Sequence, residues 1–204
     1  MVGMRQDCDV IHDSSDTKPK RKGVWRRILR SDDGAAAIEF TILAIPYFII
    51  VFAIVETFIA FTGEQLISNA VDTLSRKIRT GQITNTMKTE QFRQAFCEEI
   101  SIMIQCDANE VAQPNKLLLD VRSYASFADI PKTLPINSAG DIDGASFGFA
   151  PGKQNTINMV RAFYKWNIIT DILRPMLSTI KPAGDDSGYF LIVETSAFRN
   201  EDYP

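Results

Sequence analysis

Apolar and polar positions fall into distinct regimes along the chain. From Phe40 to Val55 no residue is charged and Thr41 is the polar side chain of the run, which extends past Glu56 to Phe61. That is enough helix to cross a hydrocarbon core of about 30 Å. Pro46 lies inside the run and is expected to loosen or kink the helix. Beyond Thr62 the pattern narrows to one stripe, Leu66, Ile67, Ala70, Val71, Leu74 and Ile78, at helical spacing. Arg76, Lys77 and Arg79 suit a helix C-terminus and Gly81 its stop. Thr62-Gly63 reads as a soft joint, with Gln65 completing a capping box. The first helix is therefore expected over residues 35–80, about 70 Å long if unbroken.

The remainder mixes periods. Residues 88–104 read as a helix. Leu117, Leu119, Val121, Ser123, Ala125 and Phe127 alternate with mostly polar neighbours, which predicts a strand. Residues 131–153 are rich in Gly, Pro, Ser and Asp and read as a long loop. Ile157, Val160, Phe163, Trp166, Ile169, Leu173, Leu177 and Ile180 predict a long amphipathic helix over 155–180, kinked at Pro175, whose aromatic stripe is core rather than a ligand pocket. Residues 188–198, GYFLIVETSAF, predict a second strand. The fold class is α+β: a long N-terminal helix, apolar in its first half and amphipathic in its second, with a small head of helices and a short antiparallel sheet packed on that helix.

Charge adds a direction. The chain of 204 residues carries a net charge of −3, so no global field points to nucleic acid. Yet Lys18, Lys20, Arg21, Lys22, Arg26, Arg27 and Arg30 precede the apolar run with no acid among them. By the positive-inside rule the N-terminus stays cytoplasmic and residues 62–204 lie outside. A basic arm for nucleic acid is the competing reading, but the cluster stops where the apolar run starts. A cleaved secretory signal competes as well. Its core would be about 7–15 residues ending in small residues; this run is longer, and Phe58 to Thr62 offers a poor site. A charge near the bilayer centre costs roughly 2.5–3.5 kcal/mol against about 0.3–0.6 returned per Ile, Leu, Phe or Val. Glu39 and Glu56 are tolerable because they flank the run.

The stretch Gly34-Ala35-Ala36-Ala37-Ile38-Glu39-Phe40 resembles the cleavage region of type IV pilin-like (pseudopilin) precursors, in which a basic leader ends in glycine and glutamate is the fifth mature residue. The chain resembles the TadE-like family of the tight-adherence (Flp) pilus system, over the leader, Gly34 to Phe61, and more loosely through its outer cysteines and the ending Phe198-Arg199-Asn200-Glu201. The resemblance implies a leader over 1–34, a transmembrane segment over 35–61 and an extracytoplasmic pilin-like domain over 62–204. It implies a prepilin peptidase cutting between Gly34 and Ala35, and assembly residues Glu39 and Phe40. The implied partners are the lipid bilayer, that peptidase, other pilin-like subunits and the pilus assembly platform, with no cofactor. The implied place is the bacterial inner membrane with the C-terminal domain periplasmic, or the pilus or cell surface after assembly. The implied function is that of a minor pilin-like protein acting by helix packing rather than catalysis.

Elementary physics agrees with that logic. Cleavage would leave a charged amine on Ala35 at the membrane face, and an unpaired buried charge is costly. Glu39 stands one helical turn away on the same face and can reach its own amine or a neighbour's. Two plainer readings stay open: Glu39 rests in the headgroup layer without a role, or the leader, with Asp32 and Asp33 before Gly34, is kept. The chain would then be an uncleaved single-pass envelope protein that binds a partner through its outer domain.

Cys97 and Cys106 fall in the outer part, where disulfides persist. One unbroken helix would hold them about 13 Å apart, too far to bond. The helix must bend or end between them if they pair; otherwise they are two free buried thiols. Cys8 sits in the leader. Their spacing suits neither a redox CxxC nor zinc. Gly144-Ala145-Ser146-Phe147-Gly148 matches the G-x-S-x-G nucleophile elbow, which needs a strand before it, a helix after it and a histidine base. The sole histidine, His12, lies across the membrane from Ser146, and a Ser146–Lys153 pair has no burial signal. Asp141 and Asp143 lack the full calcium-loop pattern. No catalytic residue, cofactor or metal site is assigned.

Overall fold

The computed structural model describes residues 32–184 and 188–203, with the backbone alone at 32–35. The basic segment 18–30, Cys8 and His12 lie outside the described residues. The chain divides into two units, Met1–Phe48 and Ile49–Pro204.

The described part of the first unit is the start of helix α1 (Asp32–Arg79). Its apolar side chains point outward all round, among them Phe40, Ile42, Leu43, Ile45 and Tyr47. Such a helix has no core-facing stripe and suits a lipid environment. Pro46 lies within α1 without ending it; membrane helices tolerate the lost backbone bond.

The second unit begins with the rest of α1. No joint interrupts it at Thr62-Gly63. The Thr62 hydroxyl donates back to the Phe58 carbonyl at 2.8 Å rather than capping a new helix. Gly63 is there for packing instead: a Cβ would sit 2.7 Å from Cζ3 of Trp166. The helix does stop where the basic last turn and Gly81 predict. Gly81 takes φ +75°, which costs glycine little, and the Gln82 amide donates to the Lys77 carbonyl at 2.9 Å.

Helices α2 (Thr89–Ile100) and α3 (Ala108–Ala112) follow. The buried Arg93 staples them together, donating to the carbonyls of Val111 at 2.9 Å and Leu117 at 3.0 Å. Strands β1 (Leu117–Tyr124), β2 (Phe149–Ala150), β3 (Ile157–Trp166) and β4 (Phe190–Arg199) form one sheet in the order β2-β1-β3-β4. β1–β3 and β3–β4 are antiparallel, in register at Leu119↔Ala162↔Glu194; β2 adds in parallel at Val121↔Phe149. A short helix, α4 (Arg174–Leu177), lies between β3 and β4.

The helix expected over 155–180 is therefore wrong. Ile157–Trp166 is the strand β3, and only Arg174–Leu177 is helical. β3 is an interior strand covered on both faces, so its apolar residues do not keep to alternate positions. Ile157, Val160, Phe163 and Trp166, three residues apart, mimic a helical stripe. The content of β-branched and aromatic residues was the available signal. The stripe is core all the same, though not as a helix: Val160, Phe163, Leu173 and Ile180 are buried, and Ile169 alone of its members is outward. The 131–153 loop stands, apart from β2.

One sheet face packs on α1 and α2. Leu117, Leu119, Val121, Val160, Ala162 and Ile192 meet Ile67, Val71, Leu74, Ile78, Phe92 and Phe96 there. The other face is covered by the long loop and the stretch before β4, with Ile142, Ile180 and Tyr189 against Leu118, Phe163 and Leu191. Asp141 holds that loop down, accepting from Lys165 at 2.8 Å and from the Tyr189 hydroxyl. Burial pushes the Asp141 carboxyl up, but its bonds to Lys165, Tyr189 and the Ile142 amide outweigh this and hold it below its ordinary range.

Glu194 is the one inward acid on the helix-facing side of β4. Burial, and then the charge of Glu64, raise its carboxyl above the ordinary 4.5. Such a group is protonated in both states below its unfolded value. It is ionised at a cost above its folded one, so its penalty appears as pH rises through that window. Glu194→Gln is expected to raise the melting temperature at pH 7 and to lose that gain at pH 4. An equal gain at both pH values would assign the effect to packing instead.

Cys97 and Cys106 are disulfide-bonded, with Cα atoms 5.8 Å apart. Helix α2 ends at Ile100 and the Ile104 amide turns back onto the Ile100 carbonyl at 3.0 Å, so the required break is present. Closing so short a loop stabilises by about 2–3 kcal/mol in the entropic view. Cys97→Ser with Cys106→Ser should lower the melting temperature of the head correspondingly. Unchanged melting would mean that packing of Phe96, Ile100 and Ile104 holds the turn alone.

Candidate functional site

The candidate features lie on α1: the motif at its start, in the first unit, and, taken separately, its seat on the head, in the second. Gly34 and Ala35 lie in its first turn, where the backbone is helical. Glu39 follows Ala35 by four residues on the same helical face and is exposed, as is Phe40. Such exposed side chains can meet other molecules.

Over Ala36–Arg79 the helix is long and apolar enough to cross a membrane, and its most apolar stretch is not buried inside the protein. Its threonine hydroxyls are dealt with internally. The hydroxyls of Thr41 and Thr57 donate to the carbonyls of Ala37 and Ala53, each at 2.8 Å. A hydroxyl bonded one turn back carries no unmet donor into hydrocarbon.

Glu56, which ends the charge-free run, is covered by the head. It is only 6% exposed. Its carboxylate accepts from the Ile169 amide at 3.0 Å, the Thr170 amide at 3.3 Å and the Thr170 hydroxyl at 3.0 Å. Head contacts with α1 thus begin before residue 62. Just beyond lies an apolar cleft of about 130 Å³ between Ala60, Phe61, Trp166, Ile168, Leu177 and Phe190. Sequence reading missed this pairing because its partners stand more than a hundred residues downstream in a segment misread as helix. A lone glutamate in an apolar run was the signal.

The C-terminal ending has a structural task. The buried Asn200 donates to the Gly152 and Lys153 carbonyls at 3.1 and 3.0 Å. The Glu201 amide donates to the Arg79 carbonyl at 2.9 Å, and its carboxylate pairs with Arg79 at 3.2 Å. This ties the end of the chain to the end of α1.

Ser146 is exposed in the loop before β2, with its carbonyl accepting from Arg122. No helix follows it, so the strand–turn–helix setting of a nucleophile elbow is not formed at Gly144–Gly148.

No curated protein and no solved structure matches the chain. Residues 34–76, which start at the glycine of the motif and end in the amphipathic half of α1, match the family model described as TadE-like protein, consistent with a TadE-like pilus protein, a pilus-assembly-related membrane protein.

Proposed function

We propose that the protein is a minor pilin-like subunit of a tight-adherence pilus, processed by a prepilin peptidase and acting through packing of α1. The observation that carries this reading is the TadE-like match beginning at Gly34, where an exposed Glu39 stands fifth after the cut. In this reading residues 1–34 are a cytoplasmic leader, 35–61 cross the bacterial inner membrane, and 62–204 form the periplasmic head. The basic residues 18–30 hold the N-terminus inside. The amine freed on Ala35 pairs with Glu39 of its own or a neighbouring subunit, and Phe40 packs in the same contact. The assembly platform and other pilin-like subunits are its protein partners; its work is positional, not catalytic.

N-terminal sequencing of the protein from its native membrane, with and without the peptidase, tests this. The expected result is a start at Ala35 that requires the peptidase. A start near Met1 in both strains would overturn processing and leave a single-pass protein that binds a partner through its outer domain.

A further inference from the structure

We infer that the head makes a second membrane contact: the segment Ile168–Leu177 lies in the headgroup–acyl boundary of the bilayer that α1 crosses. The inference rests on the reading of α1 as a membrane span.

The segment divides its apolar residues cleanly. Ile168 and Leu173 point inward and are buried, while Ile169, Ile172 and Met176 are 74%, 67% and 80% exposed. Single exposed apolar residues are ordinary on a protein surface; several on one short segment mark a surface that meets something. What they meet follows from where the segment is tied. The Glu56 carboxylate pins the Ile169 and Thr170 amides to α1. Around that level the outward side chains of α1 are Ile54, Val55, Phe58 and Phe61, all exposed. Lipid cannot surround α1 as far as Phe61 without also meeting a residue bonded to Glu56, more than a helical turn earlier. The apolar surface of the segment is therefore continuous with that of the span.

The polar groups fit such a layer. The amides of Leu173, Arg174, Met176, Leu177 and Ser178 are bonded within the segment, at 2.9 to 3.1 Å, as a backbone entering a poorly hydrated layer requires. Arg174 pairs with Asp171 at 2.7 Å and donates to the Ile168 carbonyl at 3.1 Å. Lys181 donates to the Pro175 carbonyl at 3.0 Å. Cations beside an outward apolar row are the composition of an interfacial anchor. Asp171 is exposed, which keeps the segment at headgroup depth rather than deeper. A second copy of the chain is the other possible cover, but it would have to displace lipid that the span already brings to this level.

The test uses the full chain in phosphatidylcholine–phosphatidylglycerol vesicles, with Cys8→Ser and the disulfide kept oxidised. An environment-sensitive fluorophore is attached through Ile172→Cys, through Ile50→Cys within the span, or through Ile102→Cys, an exposed apolar site elsewhere on the head. Lipids carrying nitroxide quenchers at shallow or deep positions report depth. The label at 172 should shift to the blue on reconstitution and be quenched more by shallow than by deep lipid. The label at 50 should be quenched more by deep lipid, and the one at 102 by neither. Met176→Cys repeats the measurement should Ile172→Cys not fold. A label at 172 behaving like that at 102 would overturn the inference while leaving the span intact. So would a blue shift at 172 that lipid does not quench and that grows with protein density, which would assign the surface to a second copy. An unquenched label at 50 would overturn the span, and the inference with it.

Discussion

Glu39→Ala is expected to abolish incorporation of the protein into assembled pili while leaving its abundance in the membrane unchanged. Glu39 is exposed on α1, so folding of the chain does not depend on it. Membrane insertion should not suffer either, because removing a carboxylate from the edge of an apolar helix lowers the insertion cost. On the proposed reading, what is lost is the partner of the amine freed on Ala35 once α1 packs among other helices. Breaking a buried ion pair by removing one member costs about 3–5 kcal/mol, and each 1.4 kcal/mol is tenfold in an equilibrium. Packing of the subunit would fall by two orders of magnitude or more. Glu39→Gln keeps the shape and one acceptor but not the charge, and should lose most of the effect; Glu39→Asp should retain more. Immunoblots of sheared pili against membrane fractions read this directly. Normal piliation with Glu39→Ala would sink the assembly role, and loss from both fractions would mean a defect in insertion or turnover instead.

Glu56→Ala should detach the Ile168–Leu177 segment from α1. Two backbone amides and a hydroxyl point at this carboxylate. Removing an acceptor from buried donors costs about 1–3 kcal/mol per donor left unmet. For three donors the sum is about 3–9 kcal/mol, and water reaching the opened site brings it to the lower end or below. The loss should be local, because β3 and β4 are held by their own ladder and by the packing of residues such as Leu74 and Phe96, which do not involve the carboxylate. Hydrogen exchange in detergent would show the Ile169 and Thr170 amides losing their protection while β3 keeps its own. Glu56→Gln retains one carbonyl acceptor and should fall between. Unchanged exchange at Ile169 and Thr170 would mean that the inward anchors Ile168 and Leu173 hold the segment without the carboxylate.

The elements legible in the sequence are those whose pattern has one local cause. An all-round apolar run ending in a stripe gives α1, since a helix surrounded by lipid needs no polar face and one lying on a head needs a single apolar stripe. Strand β1 is marked by the alternation of Leu117, Leu119 and Val121, and β4 by its short run of aromatic and β-branched residues. The stop at Gly81 is written in the residue that tolerates a positive φ. The Gly34–Phe40 motif is equally local, which is why its resemblance could be stated from the residues. β3 was illegible for the opposite reason: covered on both faces, it loses the alternation that marks a strand, and its chance spacing of three imitates a helix. Thr62-Gly63 misled because a Ser/Thr hydroxyl serves a cap or a back-bond equally well, and only the Trp166 ring against Gly63 explains the glycine.

By itself, then, the sequence determined the apolar run, the amphipathic continuation, the basic flank and the motif at Gly34, because each is a pattern of residues near one another in the chain. Tertiary structure decided the rest. It turned 157–166 into the interior strand of a sheet and ended α2 so that Cys97 could reach Cys106. It also brought Ile169 and Thr170 to Glu56 across more than a hundred residues of chain. These outcomes depend on which distant groups meet. A buried carboxylate is satisfied only by donors that the fold delivers, and no local pattern names them.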